Sequence, residues 1–165
     1  MIIRATKVVL VFALALFHTL VVFDNVTDFG SNYQFVRHVL LMDTTFPSSH
    51  ARWRAIAAPA FHLAFYCGII LWEAAIAVLL WWGSAKLAQN LRGPAAAFQM
   101  GKRVAIAGLG VSLLLWLVAF LCVGGEWFLM WQSLSWNGQQ EAFRIFAVVA
   151  LVLLVVLHTD ADGQP

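Results

Sequence analysis

DNVTDFGSNYQFVRHVLLMDTTFPSSHARWR, residues 24–54, decides the fold. Acids, bases and two histidines crowd into it, while long apolar runs flank it on both sides. Ser31 followed by Gln34 reads as a capping box, in which hydroxyl and amide satisfy the first free N–H groups of a helix. Phe35, Val36, Val39, Leu40 and Met42 then fall on one helical side, with Gln34, Arg37, His38 and Asp43 elsewhere. Thr44-Thr45-Phe46-Pro47 ends the run, because the residue before proline is pushed out of helical geometry. The stretch therefore predicts an amphipathic helix in an ordered cap, lying on one face of a membrane bundle. Sealing the bundle against water is one role for it; a lid or a docking surface is the other.

Working outward, four apolar runs are each near the roughly 20 residues a bilayer crossing needs. They place spans at about residues 8–23, 55–82, 104–131 and 141–158, joined by the cap at 24–54 and a polar hairpin at 83–103. The expected fold is an all-α membrane protein: a four-transmembrane-helix bundle, one domain over residues 1–165, with the short interfacial helix between spans 1 and 2. A composition 62% hydrophobic and 11% charged excludes a water-soluble domain of this size. The net charge of +2 does not point to nucleic acid, since the basic residues sit at helix ends where membrane topology explains them.

Cys67 and Cys122 both fall inside apolar runs, without C-x-x-C spacing, and read as small buried hydrophobes. Arg4 and Lys7 before VVLVFALALF imitate a signal peptide, but HTLVVFDNV follows where small residues should mark cleavage. The run is read as a retained first span. Pro59 fits the first turns of the second span and Pro94 an early start to the third. Two small-residue rows, Ala60-Ala64-Gly68 and Gly101-Ala105-Gly108-Ser112, offer close helix approach. Trp127, Trp131 and Trp136 gather as an aromatic belt. The acidic tail DADGQP reads as mobile.

Arg4, Lys7, Lys86, Arg92, Lys102 and Arg103 lie on one side of the predicted topology, against Arg37, Arg52, Arg54 and Arg144 on the other. That bias predicts a bacterial inner-membrane protein with both termini cytoplasmic and the cap outside.

An ionisable group at bilayer depth is costly unless paired, so each is a functional candidate. Counting about 1.5 Å per residue, His18, His62 and Glu126 reach a similar level beneath the cap. Such a layer suits a haem iron, a metal ion, a quinone or a proton relay, or is a polar cluster fixing helix register. Glu73 stands about 13 Å inside the cytoplasmic end of the second span, with no basic mate at that level. It is either neutral and hydrogen-bonded inside the bundle or reaches toward another protein, with Arg37 and His38 as further interface candidates.

NVTDFGSNYQFVRHVLLMDTTFP, WEAAIAVLLWW and GGEWFLMWQS with the following WNGQ resemble a bacterial family of predicted small integral membrane proteins. That family's domain is of unknown function. The resemblance implies four spans and an inner-membrane location, and it brings no catalytic residue. The sequence holds no nucleophile–base pairing, phosphate loop, metalloprotease helix or nucleotide fingerprint. The leading expectation is a small accessory subunit without catalytic activity of its own. It would lie in the lipid bilayer with other integral membrane subunits, in a respiratory or other redox complex. The alternative is a haem-, metal- or quinone-binding protein built on His18, His62 and Glu126.

Overall fold

The computed structural model describes residues 1–161. Among them, four helices are long and apolar enough to cross a membrane. They are α1 (Ile2–Thr27), α3 (Pro59–Gln89), α4 (Ala95–Leu114) with its continuation to Trp127, and α5 (Gln139–Leu157). The cap helix α2 (Phe29–Leu41) follows α1 after a single break at Asp28. The protein is an all-α membrane protein.

The helices overrun the apolar runs that announced them. At 26 residues, α1 is about 39 Å long, against a hydrocarbon core of about 30 Å. Helix α3 starts at Pro59, whose missing N–H is harmless in a first turn, and runs past the expected end at residue 82 to Gln89. Only a short turn remains of the expected hairpin, and Pro94 caps α4 from outside instead of opening it. The cap helix also starts early. Asp28, not Ser31, occupies its N-cap position, without a side-chain cap bond. Its end comes at Met42, which adopts a left-handed φ of 51°, before Pro47 is reached.

The second half of the third span departs from α-helical geometry. Leu115–Trp127 is a π-helix of 13 residues, closing with the Phe128 N–H donating to Val123 O at 2.9 Å. Trp72 Nε1 on α3 donates to Val111 O at 3.2 Å, one turn before the switch. The wider winding ends in a left-handed turn at Leu129 (φ 55°), so Trp131 lies in a separate 3-10 turn and not in the span.

Two apolar cores result. The larger joins α1, α3, α4 and α5 through Leu14, Ile76, Leu80, Leu109, Val149 and Val152. Along this seam a Cβ on Gly83 would come within 2.6 Å of the Ala105 backbone, so α3 and α4 touch main chain to main chain. Gly101, Ala105, Gly108 and Ser112 are all buried, as their row predicts. Ala60, Ala64 and Gly68 instead face outward. The smaller core puts Val36, Leu40 and Met42 of the cap on Tyr66, Ile69, Phe128 and Met130.

Tryptophans expected as a belt work as clamps for the cap. Trp131 meets Phe46 edge-on at 5.8 Å, Trp136 stacks on His38 at 4.7 Å, and Trp127 meets Trp53 at 6.1 Å. The Arg54 guanidinium lies 4.8 Å over the Trp127 ring and donates to Trp127 O at 3.2 Å. Thr44 bonds Ser133 at 2.8 Å and the Phe46 N–H donates to Gln132 Oε1 at 3.1 Å. The cap is thus stitched to the turn after the third span along its length.

Candidate binding cavity beneath the cap

The expected layer of His18, His62 and Glu126 does not form. His18 is fully buried and its Nε2 lies 3.0 Å from Ser112 Oγ, tying α1 to α4. His62 is also buried, with Nε2 2.6 Å from Ile56 O, where it holds the end of the cap against the start of α3. Glu126 is exposed, because the π-helical winding rotates it outward from the position α-helical spacing would give. Among the described residues no three His, Cys, Asp or Glu side chains come close enough to hold a metal ion.

Glu73 lies on α3 about three turns beyond His62. It lies 16 residues before the end of α3, about 24 Å from that end and not the expected 13 Å, because the helix continues to Gln89. It is 2% exposed and is hydrogen-bonded inside the bundle. Asn25, in the last turn of α1, donates from Nδ2 to Glu73 Oε2 at 2.7 Å. Tyr66, two turns earlier on α3, donates its hydroxyl to Asn25 Oδ1 and to Asn25 O, each at 3.0 Å. Every donor in this chain runs toward the carboxylate. Among the described residues, none donates a hydrogen bond to the second Glu73 oxygen.

Glu73 also lines a cavity of about 480 Å³, within the roughly 300–1,000 Å³ range of small-molecule sites. Helix α1 contributes Phe17, Leu20 and Val21 to its wall and Asp24 to its rim; α3 contributes Tyr66, Ile69 and Glu73. Trp116 and Phe120 of the π-helical segment close the far side, and Asn32 and Phe35 of the cap form the roof. The cavity exists because α1 packs mainly on α3, while the π-helical segment leans on α5 and leaves α1 unmatched at this end. Asp24 Oδ2 accepts from Asn32 Nδ2 at 3.4 Å, linking rim and roof.

The other candidates serve the cap. His38 pairs with Asp43 at 2.8 Å under the Trp136 ring, and exposed Arg37 donates to Gln34 Oε1 at 3.0 Å.

At the opposite end, the structure builds a second polar cluster from residues read as helix-end charges and tail. Lys7 and Lys102 are buried, and both ammonium groups donate to Asp160 Oδ2, at 2.8 Å from Lys7. Both also donate to His158 O, at 2.6 and 2.7 Å, satisfying a carbonyl left open at the end of α5. Burial works to raise the Asp160 pKa, but the hydrogen bonds and charges of Lys102 and Lys7 outweigh it and hold the carboxyl below its ordinary value. Asp160 therefore contradicts the expectation of a mobile tail at its first residue; residues 162–165 of that tail lie outside the described residues.

No curated protein and no solved structure matches the chain. A family model described as "predicted small integral membrane protein (DUF2165)" matches residues 3–159, and the chain belongs to that family of small integral membrane proteins.

Proposed function

We propose that the protein binds a small molecule in the cavity beneath its cap and does no covalent chemistry of its own. The observation that carries this reading is the Glu73 carboxyl group: buried, oriented by Asn25 through one oxygen, and lining a ligand-sized space. A carboxylate needed only for helix register would have its acceptor capacity met inside the protein. Narrowing the cavity tests this. Wild-type protein purified in mild detergent should retain a small molecule on extraction and mass analysis, and Val21→Trp should lose it while staying folded. Equal content in the two proteins, or none in either, overturns the reading.

A second reading, an accessory subunit of a larger inner-membrane assembly of respiratory or redox type, draws on the outward face of α3. Ala60, Ala64 and Gly68 leave that face flat, and a Cβ built on Gly68 meets nothing within 4 Å. Such a surface suits close approach by another helix. Co-purification after Gly68→Leu tests it: retention of every co-migrating subunit argues against contact through this face.

For either reading we place the termini in the cytoplasm and the cap outside an inner membrane, on the excess of basic residues at the terminal end. A cysteine at Ser48, on a background without Cys67 and Cys122, should react with an impermeant reagent in intact cells. Reaction only after lysis reverses the orientation.

A further inference from the structure

The cavity beneath the cap has a charge pattern that selects its occupant. Its buried acid is Glu73, with one oxygen unbonded, and a second acid, Asp24, stands exposed at the rim. Among the described residues, no Lys, Arg or His lines it. An anion would therefore meet two carboxylates and no counter-charge. A neutral apolar molecule would cover the open Glu73 oxygen without bonding it, which is costly in a dry site.

The walls narrow the choice further. Phe17, Tyr66, Trp116 and Phe120 present aromatic rings around the carboxylate. Aromatic faces attract ammonium-type cations and supply apolar contact to whatever carries them. A bare metal ion is disfavoured by the same walls, since a hard cation wants six or more oxygen ligands close by. Trp116 and Phe120 lie 4.7 Å apart, their rings tilted by 31°, on the π-helical segment, so the unusual winding is what presents this aromatic wall to the cavity.

We propose that the cavity takes a lipophilic organic cation, an ammonium group on an aromatic or alkyl body, with Glu73, ionised by the arriving cation, as its counter-ion and Asp24 guiding entry at the rim. This rests on the binding reading above and deepens it. The cation's charge sits at the Glu73 oxygen that the Asn25 amide leaves free, and its body lies between Phe17 on α1 and Trp116 with Phe120 opposite. Asn25 and Tyr66 are positioning residues. They hold the carboxylate in one orientation, so that the open oxygen faces the cavity before the ligand arrives.

Two probes of similar shape and different charge test the assignment: phenyltrimethylammonium and its uncharged relative N,N-dimethylaniline at neutral pH. Each is titrated calorimetrically into the full chain in matched detergent. Phenyltrimethylammonium should bind saturably and more tightly than dimethylaniline. Glu73→Gln keeps the Asn25 contact and should weaken the cation at least about tenfold, as expected when one member of a buried charge pair is neutralised. Trp116→Leu should weaken the cation by about two- to thirtyfold through the lost ring face. Melting curves of both variants report whether they remain folded. Dimethylaniline binding as tightly as the cation, or a folded Glu73→Gln that binds the cation like wild type, overturns the cation assignment and leaves the cavity as a site. Absence of saturable binding of either probe by wild type overturns both.

Discussion

The two ends of the bundle each bury charge, and they handle it in opposite ways. At the terminal end, Lys7 and Lys102 converge on Asp160 and on His158 O, so cations, carboxylate and helix-end carbonyl satisfy one another. A space of about 450 Å³ also borders Lys7 and His158, but the charged groups there already have partners within the chain. At the cap end, Glu73 has an amide partner for one oxygen and lines a cavity. The difference separates structure from function. A closed cluster spends its charges on holding elements together, in this case the end of α5 against α1 and α4. An open one keeps a valence for something outside the chain.

The largest expected effect lies at the closed end. Lys7→Met strands part of a buried ionic group and should cost about 3–5 kcal/mol of stability, as breaking buried pairs does. Asp160→Asn should behave similarly, because two buried ammonium groups then lose their carboxylate. Unfolding of the purified variants in mixed detergent micelles measures both. If either variant unfolds with wild type, the latch is not a structural element and the contrast between the ends disappears.

A smaller effect is expected at the open end. Glu73→Leu leaves the Asn25 amide without an acceptor and should cost about 1–3 kcal/mol in the same assay. Glu73→Gln retains an acceptor for Asn25 and should lie closer to wild type than Glu73→Leu. Should Glu73→Gln destabilise as much as Lys7→Met, the carboxylate is a structural charge and the open-valence description of the cap end fails.

Acid should affect the closed end most gradually. The folded Asp160 carboxyl titrates below its ordinary 3.8. Its contribution is therefore fully present above that value and is lost as pH falls through the lower, folded one. Stability of wild type should fall across this acid window more steeply than that of Asp160→Asn, which has no proton to bind there. Parallel curves for the two proteins would show that other carboxylates govern acid unfolding.

Much of the architecture was legible because membrane burial writes a local, additive signal. Four apolar runs of sufficient length appear as helices, and Val36, Val39, Leu40 and Met42 were readable as the buried side of the cap by their spacing alone. Span ends were less legible. Polar residues such as Lys86 look like the end of a span, yet α3 continues to Gln89 because a helix crosses the headgroup region without needing apolar side chains. That extension moved Glu73 relative to every depth counted from the expected boundary.

The amino-acid sequence by itself determined that this chain is a four-span, all-α membrane protein with an amphipathic cap helix and an acidic residue at bilayer depth in its second span. Hydrophobic length and helical period are properties of neighbouring residues, so no fold is needed to see them. Which groups meet was decided only by tertiary structure. Lys7 and Asp160 stand 153 positions apart and Asn25 and Glu73 48 apart, and no local pattern marks such pairs. The π-helical winding of Leu115–Trp127 was equally hidden, because in LWLVAFLCVGG nearly every side chain is apolar and any winding offers lipid an acceptable face. That winding turns Glu126 outward and brings Trp116 and Phe120 to the cavity wall. The candidate site thus moved from three residues at matched depth to one carboxylate, since depth follows from counting but the direction a side chain faces follows from packing.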